Sequence, residues 1–158
     1  MRKRAIIFIT SGLALLIAAS QVQAAPPDFS GDWKLNIAKS DYGPIPAPEV
    51  MTRTIKHADP SLAFKTYQKG EQGEVTTDMK YTTDGKETLN KTPIGDAKGT
   101  AKWDGDKLII ESTRETQGVT IQAKDAWALS EGGKVLTITS HITVPQGEFD
   151  IKLVFDKQ

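Results

Sequence analysis

The 158-residue chain contains no cysteine. Disulfide staples, thiolate metal sites, iron–sulfur clusters and a cysteine nucleophile are therefore excluded. It carries no surplus of positive charge, since 20 basic side chains balance 20 acidic ones. A nucleic-acid partner would call for a basic stripe, and none is present. Histidine occurs only at His57 and His141. Neither has a second histidine or an acid at metal-ligand spacing, and both read as solvated surface residues. There is no Gly-x-Ser-x-Gly, no phosphate-cradling glycine loop and no His–carboxylate–nucleophile set. A non-enzymatic protein without cofactor or metal is the expectation.

The first 24 residues stand apart from the rest. Arg2, Lys3 and Arg4 precede a largely apolar run from Ala5 to Ala19, and Val22-Gln23-Ala24 has the small-x-small form of a cleavage site. This is the pattern of a secretory signal peptide. The run is shorter than the ~20 residues a membrane span needs, so no span is expected once the leader is gone. The expected organisation is a leader over 1–24 and a single domain over 25–158. With the leader's three positive charges removed, 17 basic residues face 20 acidic ones. The product is a mildly acidic exported domain, periplasmic or extracellular, held together by its own core.

Helix-period patterning is almost absent from that domain. Alternation of apolar and polar residues is widespread and threonine is abundant, which points to half-buried strands. The breaks are Asp84-Gly85, Asp104-Gly105, Gln117-Gly118, Gly132-Gly133 and Gln146-Gly147, dipeptides that favour hairpin turns. Strands are predicted near 30–36, 50–58, 62–69, 74–83, 86–91, 97–103, 107–116, 119–129, 134–144 and 148–156. Pro44, Pro46 and Pro48 forbid a helix between the first two strands and imply an extended strap.

Taking each dipeptide as a two-residue loop sets the register. Trp127, Ile138 and Phe155 then form one cross-strand row, and Asp125, Ser140 and Leu153 form the next. Ala97, Gly99 and Ala101 lie opposite Ser112, Ile110 and Leu108. Apolar residues meet apolar residues, and a slip of one residue would send them to the other face. A long meander with one apolar face covers it by closing on itself. The expected fold is an all-β, antiparallel up-and-down barrel of about 8–10 strands, with a β-sandwich as the alternative.

Phe29-Ser30-Gly31-Asp32-Trp33-Lys34-Leu35 opens the domain. A Gly-x-Trp in the first strand of such a barrel resembles the signature of lipocalins and the wider calycin group. The stretch from Trp33 to Pro44 is similar to exported bacterial lipocalin-like proteins. The resemblance implies that Trp33 plugs the closed end, that Gly31 permits close approach there, and that a carrier function is to be considered.

Candidate binding residues follow from the inward parity. After the leader only Arg53 and Arg114 are arginines, against 15 lysines, and both alternate with apolar residues. An inward arginine suits bidentate capture of a carboxylate; the structural alternative is stacking on Trp33 or pairing with a buried acid. Asp125 interrupts an inner apolar run, as a ligand contact or as a member of a satisfied internal pair. The small residues at 97, 99 and 101 leave volume that is either a cavity or filled by Tyr81, Trp103 and Trp127. The leading expectation is a small, partly hydrophobic ligand inside the barrel, with Tyr81, Trp103 and Trp127 as walls and the two arginines as anchor. The alternative is a non-catalytic protein-binding module with a filled barrel, acting through the proline strap and loops.

Overall fold

The computed structural model describes residues 25–158; the leader expected over 1–24 lies outside the described residues. Ten strands follow in chain order: β1 Gly31–Leu35, β2 Val50–Ala58, β3 Ser61–Gly70, β4 Gly73–Thr82, β5 Thr88–Asn90, β6 Asp96–Asp104, β7 Lys107–Thr116, β8 Val119–Ser130, β9 Val135–Val144 and β10 Gly147–Lys157. Each predicted strand is present. β5 is shorter than the expected 86–91, and the residues before it, 83–85, bond to segments other than β4 and β5. The Thr83 N–H donates to the Pro60 carbonyl and the Gly85 N–H to that of Ala101, both at 2.9 Å.

All ten strands form one antiparallel sheet, in the order β4-β3-β2-β1-β10-β9-β8-β7-β6-β5. One continuous sheet excludes the sandwich. β1 pairs with β2 on one side and β10 on the other, joining the first and last described strands. A single seam remains, between β4 and β5. A side chain bridges it: the Lys80 N–H donates to Asn90 Oδ1 at 2.7 Å, and Asn90 Nδ2 donates to the Lys80 carbonyl at 3.0 Å.

The hairpins divide into those that match the predicted register and those shifted by two. Between β7 and β8, Gln117 and Gly118 both have positive φ, 49° and 78°, the type I′ geometry that fits the twist of the flanking strands. Leu108, Ile110 and Ser112 accordingly face Trp127, Asp125 and Ala123. Between β6 and β7 the loop is Gly105–Asp106, with Asp104 facing Lys107, so Ala97, Gly99 and Ala101 lie opposite Arg114, Ser112 and Ile110. Between β9 and β10 the loop is Pro145–Gln146, so Ile138 faces Leu153 and Ser140 faces Ile151. Gly105 thus becomes the first loop residue instead of the second, and Gly147 becomes the first residue of β10. A shift of two preserves which face each side chain occupies, so the inward set is unchanged.

Burial is graded along the barrel axis. At the lower end, where the chain enters at Phe29 and the β2–β3, β6–β7 and β8–β9 loops gather, the interior is packed. Phe29, Trp33, Leu108, Trp127, Leu136 and Phe155 are fully buried there. Gly31 and Trp33 belong to this plug. The Trp33 Nε1–H donates to the Phe29 carbonyl at 3.0 Å, and Lys157 Nζ lies 5.3 Å from the Trp33 ring centre. Gly31 has φ +137°, and a Cβ there would sit 2.7 Å from the Lys157 side chain. At the upper end the inward residues Val75, Thr77, Ile121, Ala123, Ile142 and Phe149 are only half-buried.

The expected strap, Ala38 to Glu49, is extended apart from its first two residues, which end a short 3-10 turn at Ile37–Lys39, and a turn at 43–44. It continues along β10 where β1 stops: Asp41 and Lys152 exchange two main-chain hydrogen bonds of 2.7 Å. It then crosses to β3, where the Glu49 N–H donates to the Lys69 carbonyl at 2.9 Å. His57 departs from expectation. Its side chain is only 3% exposed, because its ring packs against Phe29 and Trp103 at the base. His141 is on the polar outer face, as predicted.

Candidate functional site

The inward parity of β2, β4, β7 and β8 brings Arg53, Tyr81, Arg114 and Asp125 into one polar cluster within an otherwise apolar interior. Their mutual influence is plain in their ionisation. Burial pushes the Asp125 carboxyl upward, against the opposing pull of Ser140, Arg53, Trp127 and Arg114. Burial also raises the Tyr81 phenol to about 12, reinforced by Asp125 and opposed by Arg114, Arg53 and Ser112. Arg53 is lowered to about 10 by burial, against the attraction of Asp125. It therefore remains charged near neutral pH. Two guanidinium groups thus share one reluctant carboxylate, and the interior carries a surplus of positive charge.

The two arginines are held differently. The Arg53 guanidinium lies over three rings, with its central carbon 4.9 Å from Phe64, 5.1 Å from Trp127 and 5.3 Å from Phe155. Its Nε donates to Thr66 Oγ1 at 2.9 Å. Each ring face contributes a cation–π attraction that strengthens with desolvation. The structural alternative for Arg53 thus holds in altered form: its cross-strand neighbour is Trp33, but the rings it covers are others. Arg114 has no such cradle. Its Nε is buried and lacks a hydrogen-bond partner, which for a guanidinium N–H is a cost that a bound acceptor would relieve. It sits opposite Ala97, near the half-buried upper interior.

The aromatic candidates separate in the same way. Tyr81 stacks on Phe64 at 6.2 Å and belongs to the cluster. Trp127 forms its floor, packed against Phe64 at 5.0 Å. The Trp127 indole N–H is buried without a well-formed hydrogen bond, although it lies near enough to Asp125 to favour the charged carboxylate. Trp103 lies in the basal plug instead. It stacks on Phe29 at 5.8 Å and donates from Nε1 to Asp59 Oδ1 at 2.9 Å. Phe64, Thr66, Ser112 and Ser140 complete the cluster. Their parity was legible in the sequence, but no motif marked them.

A concavity of about 870 Å³ lies elsewhere, on the outside of the barrel across β6–β9, bordered by Lys98, Glu111, Lys124 and His141. Glu111, Lys124 and His141 are held in ion pairs. Lys124 meets Glu111 at 2.8 Å, and His141 meets Asp150 at 2.8 Å on β10. Such exposed pairs mark a solvated face. Among the described residues no group of three histidines or acids could hold a metal ion.

No protein-family model matches the sequence, and no curated protein matches it significantly. Solved structures do match. A secretory abundant heat soluble protein from Ramazzottius varieornatus aligns with TM-score 0.58 and 15% identity, over 82% of this chain and 94% of that one. Zebrafish ileal bile acid-binding protein, complexed with cholic acid, gives 0.57 and 21%, over 82% and 98%. A structure described as a fatty acid transporter gives 0.56 and 16%, over 82% and 96%. The fold is a calycin-type barrel. In this barrel Gly31 and Trp33 belong to the basal plug, and a proline strap occupies the connection after β1. Of these structural neighbours, one is named for binding bile acid and one as a fatty acid transporter. No helix among the described residues is long and apolar enough to cross a membrane.

Proposed function

We propose that this is an exported binding protein that takes a small, partly hydrophobic ligand with an anionic head into the upper half of the barrel. The observation that carries the proposal is Arg114, whose buried Nε lacks a partner beside Tyr81 in an interior where arginine outnumbers acid. A carboxylate would meet Arg114 and the Tyr81 hydroxyl, while Ile121, Ile142 and Phe149 would line the path of its apolar tail. The bile-acid and fatty-acid proteins among the structural neighbours support an amphipathic acid as the ligand class. The half-buried inward residues of the upper end support an accessible interior over the filled-barrel alternative.

The test is a titration of residues 25–158 with fatty acids and the matching alcohols, followed by tryptophan fluorescence. Saturable quenching by the acids, weakened for the alcohols and in Arg114→Ala, is expected. Absence of saturable binding across the series would sink the proposal. Export is tested separately. The full sequence, expressed in a bacterial host, should yield a periplasmic or secreted product whose mass begins at Ala25.

A further inference from the structure

β4 is a ten-residue strand with a ladder on one side only, to β3. Both main-chain groups of Lys80 point into the seam, where they bond the Asn90 carboxamide. The N–H and C=O of a strand residue point to one side together and alternate along the strand. Those of Asp78, Thr76 and Glu74 therefore face the seam too. Among the described residues they have no main-chain partner there. Across the seam β5 is only three residues long and ends at Asn90, so the upper half of β4 is a free edge. Folded proteins ordinarily cover or blunt such an edge.

Asn90 shows which chemistry this edge accepts. Its carboxamide takes a hydrogen bond from a β4 N–H and gives one to the same residue's carbonyl, the pair of bonds that one residue of an added antiparallel strand makes. The outward side chains supply the charge preference. Glu74 and Asp78 are exposed on β4 with Thr76 between them, and Glu87 is exposed across the seam. Asp78 has Lys65 at 3.5 Å, an exposed pair that a second cation readily shares. Inward, Val75 and Thr77 are half-buried and would meet small apolar side chains.

We infer that the upper half of β4 is a strand-addition site for an extended segment of a partner protein. That segment carries basic residues four apart on its outer face and small apolar residues on its inner face. One end of its backbone would continue the pairing that Asn90 begins at Lys80.

The test uses residues 25–158 and an acetylated nine-residue peptide that alternates valine with polar positions and has two lysines four apart. The expected result is saturable binding that slows amide hydrogen exchange at Thr76 and Asp78 by about tenfold or more. Thr76→Pro should abolish it while leaving the melting temperature and small-ligand binding near wild type, because that N–H serves no ladder bond. A second variant, Glu74→Lys with Asp78→Lys, should weaken binding without disturbing the backbone. The inference is overturned if these amides are unaffected, or if a peptide with central proline binds equally well. It is also overturned if protection rises with protein concentration alone, which would make the edge a contact between copies of this chain.

Discussion

Arg53 and Arg114 show how one residue type takes two roles in one barrel. Arg53 is enclosed by three rings and a threonine, so its charge is balanced by aromatic faces. Arg114 retains an unmet donor. Replacing Arg114 with alanine should therefore weaken binding of an acidic ligand by about 1.5–3 kcal/mol, the usual worth of a hydrogen bond to a charged group. Thermal stability should change little, as comparison of titration with melting would show. Asp125 makes the complementary prediction. Burial raises its folded carboxyl above the ordinary value, so the folded state binds this proton more tightly than the unfolded chain does. Its contribution to stability is present below the ordinary carboxyl pKa and lost as pH rises through the raised one. Asp125→Asn should then melt above wild type at neutral pH, with the gap closing as the solution is made acidic. The same variant should bind an anionic ligand more tightly, since two guanidinium groups would be left without their internal acid.

At the level of elements, the seam and the strap decide how the barrel closes. Asn90 substitutes for a strand with two hydrogen bonds to Lys80. Asn90→Ala should destabilise the fold by about 1–3 kcal/mol and accelerate exchange of the Lys80 amide, measurable by hydrogen exchange. The strap depends on Gly43, which has φ +53° and where a Cβ would lie 2.8 Å from the Asp150 carbonyl. A β-branched residue at Gly43 combines a left-handed backbone with that clash. Gly43→Val should detach the strap from β10, and exchange of the Lys152 amide would report it. β5 was the strand least well read from sequence. The two residues that set the approach to it, Thr83 and Gly85, bond to Pro60 and Ala101, contacts distant in the chain.

For the whole molecule, cohesion rests on the basal plug, since no covalent staple exists. Trp33 is 1% exposed and anchors Phe29. Trp33→Ala should cost about 3–5 kcal/mol, a large share of a typical domain stability of about 5–15 kcal/mol. Urea unfolding would show either a much lower midpoint or an unfolded chain. Placing the packed half at one end and the polar cluster above it keeps the most costly groups to bury, two guanidinium ions and a carboxylate, next to the end where inward residues are half-exposed.

The sequence by itself determined the number of strands, their limits to within a few residues, and the face each side chain occupies. Period-two alternation and glycine turns are local properties, and a register error of two residues leaves the face unaltered. It also singled out Arg53, Arg114 and Asp125, because a charge in an apolar alternation is visible without any partner. Only the tertiary structure decided what those charges meet. That Arg53 is ringed by Phe64, Trp127 and Phe155 while Arg114 keeps an unmet donor depends on closure of the sheet, which brings β2 and β8 across the interior from one another. The burial of His57 and the transfer of Trp103 from the binding wall to the plug have the same origin. Both follow from Phe29 folding under the barrel, a contact between residues far apart in the chain that no local pattern encodes.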